Sequence, residues 1–109
     1  MTDLAQKHCA ACSPGTPPLA PERARELLPQ IPEWAVDGNR IRRTYRFGNY
    51  YETIAFVNAA AWISHREDHH PDLTVGYNRC EVVYWTHAVN GLSENDFICA
   101  AKLDQLLKL

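Results

Sequence analysis

The sequence predicts an α+β domain in the order α-β-β-α-β-β-α, a four-stranded antiparallel sheet with its helices gathered on one face. Three observations carry this. Residues 41–47 alternate apolar and polar, the period-two pattern of a strand with one solvated face. Residues 50–66 and 93–107 carry helical composition and a helix-start signature between strand-like runs. At 109 residues, 46% apolar and 22% charged, the chain has the size and balance of one globular domain and no room for a second.

Residues 1–20 hold Pro14, Gly15, Pro17 and Pro18 with little apolar periodicity, and they read as a flexible arm before a domain spanning residues 21–109. Pro21 suits a first helical turn. Residues 22–28 then form a short helix that Pro29 and Pro32 cut off. Residues 34–36, the turn Asp37-Gly38-Asn39 and residues 41–47 make a hairpin. Ile41, Tyr45 and Phe47 fall on one face and Arg40, Arg42, Thr44 and Arg46 on the other, with Arg43 breaking the pattern. The apolar residues of 50–66, from Ile54 and Phe56 to Trp62 and Ile63, spread around nearly the whole helix circumference. One apolar face suffices to pack on a sheet, so a second copy is expected to cover the rest, and the chain to be an oligomer.

Pro71 disfavours helical geometry at His70 and ends that helix just before the pair His69-His70. Residues 73–77 and 80–86 are strands joined around Asn78-Arg79. The second, with Val82, Val83, Tyr84 and Trp85, is apolar on both faces and therefore central. The last helix opens with Ser93 as N-cap, Asp96 three residues on, and Leu92 and Phe97 placed as a hydrophobic staple.

A formal net charge of −2 gives no electrostatic reason to expect nucleic acid as a partner. No apolar run approaches the ~20 residues of a membrane helix, and no basic segment followed by an apolar one opens the chain. The expectation is a cytoplasmic protein with Cys9, Cys12, Cys80 and Cys99 as free thiols.

Three of the five histidines sit where the chain changes element: His69 and His70 between helix and strand, and His87 just after the last strand. Imidazole titrates near neutral pH, so such a set can donate a proton to a leaving hydroxyl and remove one elsewhere. Zinc is the competing use, because His65 and His69 have i,i+4 spacing; adjacent His69 and His70 and the expected helix end fit it poorly, and no metal is predicted. His8-Cys9-x-x-Cys12 lacks the second ligand pair of a structural zinc site. Asp96 is read as a helix-start acid, and Trp85 and Tyr77 as strand aromatics able to stack on a flat heterocycle.

The run His69-His70-Pro71-Asp72-Leu73, then Tyr77, Thr86-His87, Gly91-Leu92-Ser93 and Asp96-Phe97 resembles the pterin-4a-carbinolamine dehydratase family over about residues 21–107, as does Phe56-Val57-Asn58. The His-Cys-x-x-Cys arm is similar to that of some bacterial members. The resemblance implies dehydration of a 4a-hydroxytetrahydropterin to the quinonoid dihydropterin, the recycling step after an aromatic amino acid hydroxylase, with no cofactor beyond the pterin substrate. It implies His69 and His87 as the acid/base pair, His70 as a catalytic-site residue that mainly holds the pterin, and Asp68, Pro71, Thr86 and Trp85 as binding contacts.

The same resemblance implies a homodimer or homotetramer through the helix 50–66. Some vertebrate members are dimerisation cofactors of a homeodomain transcription factor, so a transcriptional cofactor is one alternative and a non-catalytic pterin-binding module another. Two positions depart from the family pattern. His65 stands where an acidic residue is common, leaving Glu67 or Asp68 to supply a supporting carboxylate, and Trp85 replaces a residue that is often smaller and polar.

Overall fold

The computed structural model describes residues 3–108. The strands are β1 (Ala35–Asp37), β2 (Arg40–Arg46), β3 (Asp72–Val75) and β4 (Arg79–Tyr84), and the helices α1 (Pro21–Leu27), α2 (Tyr50–Glu67) and α3 (Glu94–Leu106). The predicted order and sheet type hold, with strand ends displaced by one or two residues. The sheet runs β1-β2-β4-β3 and is antiparallel throughout, so β4 is central as its composition required.

The β1-β2 hairpin closes on Gly38-Asn39, between the paired Asp37 and Arg40, and Gly38 takes φ +62°, a region closed to most side chains. Strand alternation then sorts the faces. Ile41 and Tyr45 of β2 and Cys80, Val82 and Tyr84 of β4 are all buried in the core. Arg42 and Glu81 lie on the other face and pair at 3.4 Å, with Asp37 closing the cluster at 2.6 Å from Arg42. Arg43, the residue that broke the pattern, shares the inner face with Tyr45. Its guanidinium lies 4.3 Å over the Tyr45 ring and donates to Asp104 of α3 at 2.8 Å. Asp104 also accepts from Tyr45 Oη (2.5 Å) and Trp34 Nε1 (3.0 Å), so one carboxylate on the last helix satisfies three donors on or beside the hairpin.

Asn49 caps α2, accepting from the Glu52 N–H at 2.9 Å, while Glu52 reaches back to the Gly48 N–H at 2.9 Å. At its far end Asp68 adopts φ +51°, ψ +45°, which turns the chain out of the helix one residue before His69. Only Thr53, Phe56 and Ala60 of α2 are buried, and Tyr51 (82% exposed) and Trp62 (61%) point outward. None of the helices is long and apolar enough to cross a membrane among the described residues.

The helix buried on nearly every side is α3, where Phe97, Ile98, Cys99, Ala100, Ala101 and Leu103 are all inaccessible or nearly so. The arm explains it. Residues expected to precede the fold lie along α3: Leu4 is 1% exposed in the core, Ala5 and Cys9 pack against it, and a 3₁₀ turn at Leu4–Gln6 rests on the helix. The Leu4 N–H donates to Gln30 at 2.8 Å and Lys102 Nζ to the Ala5 carbonyl at 2.9 Å, and Lys7 pairs with Glu94. Prolines at 14, 17 and 18 gave the arm its loop composition, yet a buried leucine and these polar contacts dock it. Leu4→Ala is expected to lower the unfolding free energy by about 2–4 kcal/mol, read from urea denaturation followed by tryptophan fluorescence.

Candidate active site

The end of β4, the junction between α2 and β3 and the start of α3 meet at one corner of the domain. There a cavity of about 300 Å³ is lined by His69, His70 and His87, by Asp68, Trp85 and Thr86, and by the arm at residues 10–12. Larger cavities exist: those of about 420 Å³ beside Asp104 and about 460 Å³ between Pro18 and Leu92 hold no histidine, and those of about 370 Å³ and 340 Å³ along the arm hold His8 alone. The cavity where three histidines meet is therefore the candidate site on chemistry rather than size.

His69 is held inside. Its Nε2 lies 2.6 Å from Asp96 Oδ1, and its ring stacks on Tyr84 at 5.7 Å and 10°. Asp96 is fully buried and accepts through Oδ2 from the Ser93 N–H and from Thr86 Oγ1, each at 2.9 Å. Thr86 Oγ1 lies in turn 2.7 Å from Ser93 Oγ. A carboxylate accepts only, so Nε2 carries the proton toward Asp96 and Nδ1 is the nitrogen left to exchange one. Burial pushes the Tyr84 phenol well above its ordinary range, with nearby Cys99, Tyr45, Cys9 and Asp96 adding to it. The plane under His69 is a neutral ring.

His70 and His87 are exposed and stand 6.2 Å apart, centroid to centroid. His70 Nδ1 lies 3.4 Å from the Pro71 carbonyl. His87 packs on the Trp85 indole at 3.9 Å, and the Arg40 guanidinium sits 4.8 Å over the same indole, whose Nε1 reaches Asp72 at 3.4 Å. One imidazole is thus fixed on a buried anion while two others face solvent. Such a set can hold a proton at one point and exchange it at another.

Seven of the predicted positions can be placed directly. His69, His70, His87, Asp68, Thr86 and Trp85 line the cavity, whereas Pro71 is outside its lining and meets His70 through its carbonyl. The Thr86 hydroxyl is spent on Asp96. Tyr77 stands at the opposite end of the β3-β4 hairpin, 66% exposed and away from the histidines. His65 faces outward, its ring 5.5 Å from Trp62, and the left-handed turn at Asp68 takes His69 off the helix face they would have shared. Among the described residues no three His, Cys, Asp or Glu side chains converge as a metal-binding set.

The supporting carboxylate comes from neither residue expected to supply it. Glu67 turns to the arm, accepting from the Cys9 N–H at 2.8 Å, with His8 at 3.0 Å and Lys102 at 3.8 Å. Burial alone would raise its pKa; the Cys9 N–H, His8 and Lys102 outweigh that and hold the carboxyl below its usual range. Asp68 lines the cavity with its side chain exposed. The carboxylate within hydrogen-bond distance of the His69 ring is Asp96, which in sequence looked fully explained by helix capping. A capping acid has two oxygens, and no local pattern tells what the second one holds.

Asp96→Asn is expected to cost about 1–3 kcal/mol of stability, because an amide turns a donor toward one of three buried donors that now share the carboxylate. Equilibrium urea denaturation of the variant beside the parent measures it.

Comparison with known proteins follows this geometry. The family model described as pterin 4 alpha carbinolamine dehydratase matches residues 17–106. A protein of Nitrosomonas eutropha assigned as a pterin-4-alpha-carbinolamine dehydratase is 61% identical over 106 residues, covering 96% of this chain and 94% of its own length. Its counterpart in Nitrosospira multiformis is 59% identical over 107 residues, covering 98% and 95%. Among solved structures, a transcriptional coactivator/pterin dehydratase from Brucella melitensis superposes with a TM-score of 0.78 at 32% identity, over 82% of this chain and 97% of its own. A pterin dehydratase-like RuBisCO assembly factor of the alpha-carboxysome shares the fold at a TM-score of 0.57 and 23% identity, over 67% and 84%.

Proposed function

Since the chain belongs to the pterin 4 alpha carbinolamine dehydratase family, a family of hydro-lyases, we propose that it removes water from 4a-hydroxytetrahydropterin by histidine acid/base catalysis. The observation that supports this best is the cavity where His69, His70 and His87 converge with Asp96 beneath His69. A module that only bound another protein would have no use for it.

The reaction breaks two bonds, C4a–O and N5–H, and makes two, an O–H of the departing water and the second bond between N5 and C4a. The C4a–O bond cleaves as its hydroxyl takes a proton and leaves as water; N5 loses its proton, and the N–H electron pair becomes the N5=C4a double bond of the quinonoid dihydropterin. Two proton transfers at separate atoms call for two groups able to give and take a proton. His69 and His87 are that pair in this reading. His69, fixed by Asp96 and Tyr84, has one nitrogen committed and one free, and Asp96 stabilises its imidazolium whenever it holds a second proton. His87 packs against the Trp85 indole, which holds its ring at the cavity edge. His70, the third wall, orients the pterin, with Asp68 and Trp85 beside it. No cofactor other than the pterin itself enters this chemistry, and the product is what a reductase returns to an aromatic amino acid hydroxylase.

The proposal extends to assembly. Tyr51, Ala55, Asn58 and Trp62 follow one another at i, i+4, i+7 and i+11 along α2 and are exposed as a stripe, which supports a homodimer or homotetramer formed through this helix. Multi-angle light scattering is expected to give twice or four times the chain mass of 12.4 kDa.

Freshly generated 4a-hydroxytetrahydropterin is expected to dehydrate faster in the presence of the protein, followed by the absorbance of the quinonoid product; an unchanged rate would remove the proposed activity. His87→Ala is expected to lower kcat by about 100-fold while its urea midpoint stays close to the parent's, because an exposed ring contributes little to folding.

A further inference from the structure

Resting on the reading of the histidine cavity as the dehydratase site, we propose that the N-terminal arm is a substrate-facing wall of that site and that Asn95 is the positioning residue that holds it shut. Residues 10–12 line the same cavity as the three histidines. They reach it because the Asn95 carboxamide clamps one arm residue by both of its backbone groups. Asn95 Oδ1 accepts from the Ala10 N–H at 3.0 Å, and Nδ2 donates to the Ala10 carbonyl at 2.6 Å, with the Cys12 sulfur 3.6 Å from the same nitrogen.

The clamp is built into the frame that carries the catalytic imidazole. Asn95 precedes Asp96, which holds His69; Glu67, which accepts from the Cys9 N–H, lies two residues before His69. A shift of the arm relative to the cavity would have to break contacts at both places.

Core packing does not account for this stretch. Leu4 already docks the arm to α3, whereas Ala10, Ala11 and residues 13–18 are exposed and bury almost nothing. What the clamp secures is the position of the backbone at the cavity mouth. The matched family model begins at residue 17, and the Brucella melitensis structure, covered over 97% of its own length, spans only 82% of this chain. The two bacterial relatives near 60% identity cover 96% and 98% of it. The arm thus lies ahead of the region that the family model matches, and the two relatives near 60% identity extend along most of it. In this chain it narrows the opening through which a reduced pterin enters, excludes water from one edge and limits the substituent the pterin can carry.

The test uses the full-length protein. Asn95→Ala is expected to raise KM for 4a-hydroxytetrahydropterin about tenfold, the worth of two hydrogen bonds at a half-exposed site, with a smaller fall in kcat. Alkylation of Cys12 by iodoacetamide, followed by peptide mass spectrometry, is expected to slow at least fivefold when tetrahydrobiopterin, a reduced pterin lacking the 4a-hydroxyl, is bound to the parent. That protection should be lost in the variant. Turnover in the parent with unchanged KM in Asn95→Ala and unprotected Cys12 would overturn the wall and leave the dehydratase reading standing. A parent that neither turns over the substrate nor binds tetrahydrobiopterin by fluorescence quenching overturns both. Should Asn95→Ala fold poorly, protection of Cys12 in the parent decides alone: its presence upholds the wall and its absence rejects it.

Discussion

Everything at the functional corner depends on one buried carboxylate. Asp96 is inaccessible to solvent, and a charge so placed is costly unless donors surround it. Here the donors come from three separate parts of the chain: the Ser93 backbone at the start of α3, the Thr86 hydroxyl at the end of β4, and His69 at the junction of α2 with β3. The helix start adds its own favourable dipole. Satisfying the anion therefore fixes the relative placement of the sheet, both long helices and the imidazole. The Asp104 carboxylate repeats the device at the other end of α3, where Trp34, Arg43 and Tyr45 converge on it. The hairpin is tied to the last helix by that second anion, so α3 is pinned at both ends.

The readable and unreadable parts of the sequence divide by range. Ile41, Tyr45 and the Asp37-Gly38-Asn39 turn announce the hairpin because strand alternation and turn geometry are local. Pro71 announces the end of α2 for the same reason, and Ser93 and Asp96 announce the start of α3. Arg43 looked like a fault in the alternation because its partner is 61 positions away. The second duty of Asp96, toward a histidine 27 positions earlier, was hidden behind a capping role sufficient to explain the residue. The arm shows the same limit. Its prolines describe its backbone correctly, and nothing nearby in sequence reveals that Leu4 fills a hole on α3.

Apolar residues around most of the circumference of residues 50–66 call for a covering copy, and within one chain the enclosed helix is α3. Residues 50–66 are apolar around most of the circumference, yet α2 buries only Thr53, Phe56 and Ala60, while α3 is buried on almost every side. Coverage, not composition, makes the difference. The arm lies across α3, and among the described residues nothing lies across the outward stripe of α2. A helix with a covered back can use small residues such as Cys99, Ala100 and Ala101, which let the arm approach closely. Tyr51 and Trp62, too large for such an approach, are left where only another molecule could meet them.

The two departures from the family pattern acquire different weights from these contacts. His65, which stands in place of a common acidic residue, packs on Trp62 and faces away from the cavity, so its charge state bears on the surface of α2 rather than on His69. Trp85 matters more. It lies between the Arg40 guanidinium and the His87 ring, anchored at its nitrogen by Asp72. A smaller polar residue there would remove the ring 3.9 Å from His87 and would release Arg40 toward solvent. The indole thus restrains His87 through ring contact where Asp96 restrains His69 through a hydrogen bond, and the two imidazoles meet the cavity under different restraint. His69 can exchange a proton only through the nitrogen that Asp96 leaves free. His87 keeps both nitrogens available while its ring plane is set by the indole beneath.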